Sequence, residues 1–414
     1  MTKPDKPIIE SLIDTDFYKD TMGQEILHHH PSEIVAFGLV NRTTSVRLGE
    51  CLDIGRVREE LDNARTLHPN KSDIHYLRGT NEYQERMFHE DYLEHRGSLT
   101  LPSYDLDIFD GQILWTSEAE WRTVTFWETL VLSIITELHA QHLMKGMSRL
   151  ERDALFAQGR IRLLEKVRVL RKYPEITFTD FGTRRRFSRE WQDYVVGVLA
   201  EELPGQFLGT SNTFLAMKYG ILPMGTSAHE RDMVVAGINS DTDEGIRQAI
   251  PMNLESWWKE YGQGLSIALT DTFGTDAFFK AMTPEQARDW KGLRQDSGDP
   301  FTFANKAIAF YKSHGIDPRE KMIVFSDGLE IEKILALAQH CKNRIKATFG
   351  WGTNLNNDLG LPTLSLVVKT VKANGRPLVK LSDNLAKAIG PKDEIERYKR
   401  IFGYTGTTFE QPRY

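Results

Sequence analysis

The chain has 414 residues, of which 40% are apolar and 27% are charged, and its formal net charge is −6. This composition is typical of a globular protein with roughly two or three domains. The acidic balance argues against a nucleic-acid-binding protein, because such proteins normally carry a strongly basic domain.

The short apolar runs and the low number of cysteines exclude further classes of protein. The run LVLSII at 130–135 falls far short of the roughly 20 residues that cross a bilayer, so we expect no membrane span. The start MTKPDKPIIESL lacks the apolar segment of a secretory signal. Cys51 and Cys341, the two cysteines, provide neither a disulfide framework nor a structural zinc site. We expect a cytoplasmic protein.

The first 170 residues predict a mixture of helices and strands, in which Asp16 or a neighbour caps the first helix. The predicted elements are a helix in DTDFYKDTMGQEILHHH (14–30), a strand in IVAFGLVNRTT (34–44), helices within 57–98, paired strands in YDLDIFDGQILW (104–115) and helices over 118–145 and 148–172. The three consecutive histidines at 28–30 point in different directions on a helix. We therefore interpret them as a solvated surface rather than a metal site.

From about residue 176, a short β-rich run, a polar turn and a helix-like stretch recur in succession, as in consecutive βα units. The runs are EITFTDFGTRR (175–185), GQFLGTSN (205–212), GILPMGTSAHE (220–230), LSIALTDTFG (265–274), KGLRQDSGDP (291–300), KMIVFSDGLE (321–330) and KATFGWGTN (346–354). This repetition predicts a parallel sheet.

Polar residues follow nearly every predicted strand, and ligands bind at the carboxyl ends of parallel strands in both barrels and doubly wound sheets. An open sheet concentrates such residues at one switch point, so we favour an irregular, closed or nearly closed parallel α/β barrel. For any one turn, loop formation by Gly, Ser and Asp explains the composition equally well.

The C-terminal stretch PTLSLVVKTVKANGRPLVKLSDN (362–384) predicts a β-hairpin with its turn at Asn374-Gly375. We expect this segment to rejoin the first domain. The predicted organisation is an N-terminal α/β domain with a helical connection (1–135), the barrel (136–360) and the returning C-terminal segment (361–414).

Two strand ends carry side chains suited to anions. Arg184 follows DFG directly, and its guanidinium offers paired donors for phosphate or carboxylate; the adjacent arginines in TRRRFSR also fit a solvated helix face. In LRQDSGDP, Arg294 could bind an anion and Asp296 a sugar diol or Mg²⁺, while Ser297 and Gly298 expose polar and backbone donors.

Several further glycines support a phosphorylated ligand, because glycine lets backbone N–H groups close on a phosphate at a helix start. These are Gly328, Gly350 and Gly352. Standard motifs for P-loop ATP binding, dinucleotide binding, zinc proteases and serine hydrolases are missing from the sequence. His229, in MGTSAHERDM, begins a helix at another such strand end, so an acid–base or nucleophilic role outweighs a structural one.

In order and spacing, these motifs resemble those of the nicotinate phosphoribosyltransferases over nearly the whole chain. The shared motifs are DTDFYKDTM, TDFGTRRR, FLGTSN, MGTSAHE, RQDSGDP, SDG and FGWGTN, of which GTSAHE with RQDSGDP is the most specific. The resemblance implies an ATP-assisted, Mg²⁺-dependent reaction of nicotinate with 5-phosphoribosyl 1-diphosphate, giving nicotinate mononucleotide and diphosphate in NAD synthesis. It also implies an irregular α/β barrel and a homodimer with shared active sites.

The resemblance also assigns roles to individual residues. His229 matches the histidine that ATP phosphorylates transiently, and Tyr18 (from the partner subunit) and Phe181 match the aromatic pair around the pyridine ring. The remaining implied contacts are Arg184 and Arg294 for anions, Asp296 for ribose or metal, Thr210, Ser211 and Asp271 for substrate, Ser297, Gly298, Gly328, Gly350 and Gly352 for phosphate, and Arg42 and Lys369 for phosphate across the dimer.

The turn GTSN distinguishes this sequence from the related nicotinamide phosphoribosyltransferases. Those enzymes have similar motifs but carry Gly-Thr-Asp at this turn. Ser211 does not repel a carboxylate, so nicotinate is favoured over nicotinamide. A non-catalytic nucleotide sensor on the same fold and a barrel hydrolase or metal-dependent lyase are competing hypotheses. The hydrolase or lyase hypothesis is disfavoured because clustered His and carboxylate ligands are missing from the sequence.

Overall fold

A computed structural model describes residues 6–82 and 85–410. Its strands are β1 (Ile34–Asn41), β2 (Asn81–Glu82), β3 (Glu85–Arg86), β4 (Asp105–Phe109), β5 (Gln112–Glu120), β6 (Phe178–Asp180), β7 (Phe207–Thr210), β8 (Leu222–Pro223), β9 (Ile267–Leu269), β10 (Gly292–Gln295), β11 (Met322–Phe325), β12 (Lys346–Trp351), β13 (Leu366–Ala373) and β14 (Arg376–Pro377).

The helices lie between these strands and after them. They are α1 (Tyr18–His29), α2 (Leu48–Cys51), α3 (Ile54–Thr66), α4 (Lys71–Gly79), α5 (Glu90–Gly97), α6 (Trp121–Val124), α7 (Trp127–Leu143), α8 (Arg149–Leu170), α9 (Arg189–Glu202), α10 (Thr213–Tyr219), α11 (His229–Ile238), α12 (Asp243–Arg247), α13 (Ala249–Tyr261), α14 (Thr275–Ala281), α15 (Pro284–Asp289), α16 (Pro300–Ser313), α17 (Ile331–Cys341), α18 (Thr353–Asn356) and α19 (Lys392–Phe402). Within the described ranges, no helix combines the length and apolarity that crossing a bilayer requires.

All seven predicted βα strands form one parallel, curled sheet in the order β8-β7-β6-β12-β11-β10-β9. The fold is therefore the predicted irregular α/β barrel, left incomplete at one place. Among the described residues, β8 and β9 do not pair with each other, although they follow one another in the chain. The connection between them contains α11, α12 and α13.

A second, antiparallel sheet has the order β14-β13-β1-β5-β4, so the C-terminal segment does rejoin the N-terminal part of the chain. The predicted hairpin is confirmed. Asn374 and Gly375 have φ of 48° and 77°, the left-handed conformations that a tight two-residue hairpin turn needs. β13 lies beside β1, with Lys369 opposite Gly38, which places a C-terminal lysine beside the N-terminal strand.

Local signals explain where several helices begin. α8 starts with a capping box in which Ser148 and Glu151 exchange side-chain to backbone bonds, and α16 starts with Pro300 after the N-cap Asp299. The predicted cap of α1 is wrong, because Phe17 precedes the helix without a side-chain cap. The Asp16 carboxylate instead accepts from Ser211 and pairs with Arg184.

Candidate active site

A cleft opens where the carboxyl ends of the parallel strands meet β13 of the antiparallel sheet and the start of α7. It encloses about 1050 Å³, part of it open to solvent. Most of the predicted site residues line this cleft: Tyr18, Arg42, Phe181, Arg184, His229, Arg294, Asp296, Gly328, Gly350, Gly352 and Lys369. The parallel sheet therefore brings residues from distant motifs to one place.

Four predicted residues lie behind the lining. Thr210 is buried and its hydroxyl donates to Asp180 (2.7 Å), while the buried Ser211 hydroxyl donates to Asp16 (2.6 Å). Asp271 and Ser297 are also buried, and the Ser297 hydroxyl donates to Asp271 Oδ2 at 2.5 Å. These residues can support the cleft walls from behind.

Gly298 lies elsewhere. It has φ of 73° and lines a different cavity, beside Asp383. Gly350 faces Phe181 so closely that an added Cβ would lie 2.3 Å from the ring, so glycine is required there to seat this aromatic side chain.

His229 is the first residue of α11 and is almost fully buried. Its Nδ1 lies 2.9 Å from Thr272 Oγ1, and its Nε2 lies 2.9 Å from Lys380 Nζ and 3.0 Å from Asp296 Oδ2. Burial, aided by the charge of Lys380, lowers the pKa of His229 to about 4. The imidazole is therefore neutral near pH 7.

A chain of hydrogen bonds through Thr272 favours one tautomer of this imidazole. Thr272 Oγ1 lies 2.6 Å from Asp232 Oδ2, and burial raises the pKa of Asp232 to about 6, so this carboxylate is ionised near pH 7. An ionised carboxylate only accepts, so the Thr272 hydroxyl donates to it and must accept from His229 Nδ1–H. Thr272 thus holds a proton on Nδ1. At Nε2, the Lys380 ammonium (2.9 Å) can donate to the lone pair, whereas the Asp296 carboxylate (3.0 Å) can only accept. The tautomer with its proton on Nδ1 therefore depends on Thr272 and Lys380 and is opposed by Asp296.

Two carboxylates beside His229 could hold a metal ion. His229, Asp271 and Asp296 each offer a ligand atom within 4.8 Å of the others. Asp271 Oδ1 is buried and accepts no hydrogen bond from any residue in the described ranges. Burial opposes the charge on Asp296, but the surrounding positive charge, led by that of Arg294, outweighs it and holds the Asp296 pKa well below its usual value. Carboxylate oxygens with spare acceptor capacity suit Mg²⁺.

Positive charge is concentrated on the cleft walls. Arg294 donates to Ser326 Oγ (3.1 Å) and to Ser227 O (3.0 Å), which holds its guanidinium at the strand end. Lys387 donates to Asp296 O at 2.9 Å. Burial lowers the pKa of Lys369 to about 7 although Glu128 favours the charged form. These basic residues come from separate segments of the chain, so no single basic run in the sequence predicts them.

An aromatic pair flanks the same cleft. Tyr18 and Phe181 both line it, and the Tyr18 hydroxyl donates to Glu128 (3.0 Å). Tyr18 belongs to the same chain as Phe181, so the expectation that it comes from a partner subunit is not needed to build the cleft. Tyr18 reaches the cleft of its own chain because the Phe17 N–H donates to Ser211 O (2.6 Å), which fixes the start of α1 beside β7. Arg42 and Lys369 likewise reach the cleft of their own chain.

Arg184 connects the aromatic wall to buried acids. Its Nε lies 2.9 Å from Asp16 Oδ2, its Nη1 lies 3.3 Å from Glu128 Oε1, and its guanidinium carbon is 5.3 Å from the Tyr18 ring centroid. Its neighbour Arg186 is not a solvated helix residue, since it is fully buried and paired with Asp14.

Sequence reasoning missed several residues that shape this site. Asp232 stands three residues after His229 in the same motif, and Thr272 lies in the LTDTFG run, so helical and strand-end spacing were available signals. Lys380 and Glu128 gave no such signal. Lys380 reaches the cleft because the C-terminal segment joins the N-terminal sheet through β13. Glu128 reaches it because α7 packs against β13.

Comparison with known proteins agrees with the geometry. The sequence model of the nicotinate phosphoribosyltransferase (NAPRTase) family matches residues 176–406, and that of the family's N-terminal domain matches residues 13–136. The solved nicotinate phosphoribosyltransferase of Porphyromonas gingivalis is 30% identical, with a TM-score of 0.85 over 96% of this chain and 100% of that one.

A nicotinate phosphoribosyltransferase structure from Vibrio cholerae is 31% identical, with a TM-score of 0.85 over 96% of this chain and 94% of that one. Both family models fall on the two sheets that build the cleft, and the main unmatched stretch between them is 137–175, which contains α8. The chain therefore belongs to the nicotinate phosphoribosyltransferase family of enzymes.

Proposed function

We propose that this enzyme joins nicotinate to the phosphoribosyl group of 5-phosphoribosyl 1-diphosphate, in NAD synthesis, and couples the transfer to ATP through a transient phosphohistidine at His229. The observation that carries the proposal is the buried imidazole of His229, whose Nε2 lies 2.9 Å from Lys380 Nζ in the wall of a cleft lined with arginines and lysines. Such a nitrogen is a nucleophile placed where a phosphate would be held.

Nicotinate fits the aromatic end of the cleft. Tyr18 and Phe181 offer ring faces for a flat heteroaromatic acid, and Arg184 offers a guanidinium for its carboxylate. Asp16, behind Arg184, fixes that guanidinium through the 2.9 Å contact. The pyridine nitrogen would then point toward the phosphoribosyl group.

In the transfer step, the ribose C1–oxygen bond of the diphosphate breaks as the pyridine nitrogen forms the new C1–N bond. The bonding electrons leave with the diphosphate, so charge builds on its oxygens and cationic character builds on the ribose ring. Arg294 and Lys387 both line the cleft and are held by hydrogen bonds, so their positive charges can stabilise the departing anion. Mg²⁺ held by Asp271 and Asp296 would add positive charge to that leaving group.

In the coupling step, His229 Nε2 attacks the γ-phosphorus of ATP, the N–P bond forms, and ADP leaves with the electrons of the broken P–O bond. Lys380 lies 2.9 Å from Nε2, where it can bind the transferred phosphoryl oxygens. The Thr272 oxygen keeps the Nδ1 proton in place during the attack. Hydrolysis of this N–P bond then links ATP consumption to pyridine transfer.

The test is to incubate the protein with γ-labelled ATP and to measure phosphate on the protein that is labile in acid and stable in base. We expect wild type to be labelled and His229→Asn to remain unlabelled. His139→Asn is the matched control, because His139 is also buried but lies on α7. Equal labelling of wild type and His229→Asn would refute the phosphohistidine. Failure of wild type to release diphosphate in a nicotinate-dependent way would refute the transfer and favour a nucleotide sensor.

We also propose that the protein is a cytoplasmic homodimer. The exposed apolar side chains Phe109 and Leu114 on the antiparallel sheet provide surface that a second copy could cover. Light scattering with size-exclusion chromatography measures the mass, and a monomer at micromolar concentration would contradict the dimer.

A further inference from the structure

A second cluster of potential metal ligands lies away from the cleft, where α1 meets α5 and α13. His28 Nε2 lies 3.2 Å from Asp91 Oδ2, and the rings of His28 and His89 have their centroids 5.2 Å apart. One ligand atom from each of the three residues lies within 4.8 Å of the others. His28 is ten residues beyond Tyr18 on α1, about 15 Å along the helix axis.

A fourth residue orients one of these ligands. The Glu260 carboxylate contacts His28 Nδ1 through both oxygens, at 2.9 and 3.0 Å, and its side chain is only 5% exposed. A carboxylate on one imidazole nitrogen holds the proton there and leaves the other nitrogen as a lone-pair donor, the arrangement that commonly supports metal-bound histidines. Glu260 therefore aims His28 Nε2 toward His89 and Asp91.

The surroundings change the interpretation of the histidine run. His28 and His30 are half-buried, the exposed His29 also approaches Glu260 (3.5 Å), and the His30 ring packs against Trp121. The run is thus not a uniformly solvated surface. Only His28 contributes to the cluster, and its partners come from a segment about sixty residues later in the chain, so inspection of the run alone could not reveal it.

We propose that His28, His89 and Asp91 form a binding site for one divalent transition-metal ion of the Zn²⁺ class, with Glu260 as the orienting residue. Two imidazoles and one carboxylate match the ligand preference of Zn²⁺, and water completes the coordination. The bound ion bridges the last turn of α1 to the start of α5, so it stabilises the folded protein. It is distinct from the Mg²⁺ proposed at Asp271 and Asp296.

The test uses the full-length protein, treated with a chelator, dialysed and then titrated with zinc chloride against a chromophoric chelator. His89→Ala and Asp91→Asn are suitable variants because both side chains are exposed, so neither change disturbs the core. His75→Ala, an exposed histidine on the neighbouring α4, is the matched control. Zinc-dependent thermal unfolding provides a second readout.

We expect one zinc ion per wild-type chain and a higher unfolding temperature with zinc than without it. His89→Ala and Asp91→Asn should weaken zinc binding at least about 100-fold and remove the thermal shift, and Glu260→Gln should weaken it about 10- to 100-fold. His75→Ala should behave as wild type. Equal zinc affinity in His89→Ala and His75→Ala, or no zinc binding by wild type, would overturn the proposal. Loss of binding in Asp296→Asn alone would place the ion in the cleft instead.

Discussion

Thr272→Val is the most direct test of how His229 is held. Valine keeps nearly the same volume but removes the oxygen that accepts from His229 Nδ1 (2.9 Å) and donates to Asp232 (2.6 Å). Without that oxygen the imidazole proton is free to move to Nε2, where Asp296 Oδ2 is 3.0 Å away and can accept it. A protonated Nε2 cannot attack phosphorus.

The expected magnitude follows from the lost interactions. A hydrogen bond to an ionised group contributes about 1.5–3 kcal/mol. If the hydrogen bonds of Thr272 favour the tautomer with its proton on Nδ1 by this amount, the rate of His229 phosphorylation in Thr272→Val falls roughly 10- to 150-fold. Because the half-buried Asp232 carboxylate loses its hydroxyl partner, the free energy of unfolding also falls, by about 1–3 kcal/mol.

The assay is the initial rate of acid-labile protein labelling from γ-labelled ATP, with folding checked by thermal unfolding. Thr348→Val is the matched control, since the buried Thr348 hydroxyl donates to Thr177 O (3.0 Å) and its side chain does not line the cleft. It should lose stability and keep its labelling rate. Wild-type labelling by Thr272→Val would refute the tautomer argument, even if the variant were less stable.

Three further predictions address acidity, selectivity and stability. Burial raises the pKa of Asp232 to about 6. The labelling rate should therefore fall as the pH drops through that value, because this carboxylate gains a proton. A labelling rate that stays constant from about pH 7.5 down to about pH 5 would contradict this prediction. Ser211→Asp should lower kcat/KM for nicotinate relative to nicotinamide. The new carboxylate would lie beside Asp16, where it adds negative charge next to Arg184, the proposed partner of the nicotinate carboxylate. Unchanged selectivity would count against this position. Arg96→Met should reduce the free energy of unfolding by about 3–5 kcal/mol, since it leaves the buried Asp20 carboxylate without its charged partner at 2.7 Å; denaturant unfolding measures this, and a loss below about 1 kcal/mol would show that the pair is dispensable.

The parallel sheet was predictable because its strands share a local signal. Each run from EITFTDFGTRR to KATFGWGTN combines β-forming residues with a turn, and all seven became strands of one sheet. The hairpin at Asn374-Gly375 was predictable for the same reason, since its turn conformation is written into two adjacent residues. Helix boundaries in the first 170 residues followed the apolar pattern less closely, and the cap of α1 failed because a tertiary ion pair engages Asp16.

The site was only partly predictable, because its composition depends on long-range contacts. His229, Arg294 and Asp296 stand at strand ends, where parallel topology alone brings them together. Lys380 and Glu128 come from the C-terminal segment and from α7, and no local pattern distinguishes them from other charged residues. Sequence spacing also cannot tell which polar residues face the cleft, so it did not separate Gly298 from the residues that line it.

The gap in the barrel has a mechanical consequence. β8 and β9 are the two edges of the sheet, and His229 follows β8 at the entrance to the helical connection that spans the gap. Separating any neighbouring strands of the sheet would break buried backbone hydrogen bonds, whereas widening this gap breaks none of those in the ladder. The two edges are instead joined through side chains, since His229, which follows β8, contacts Thr272, which follows β9, at 2.9 Å.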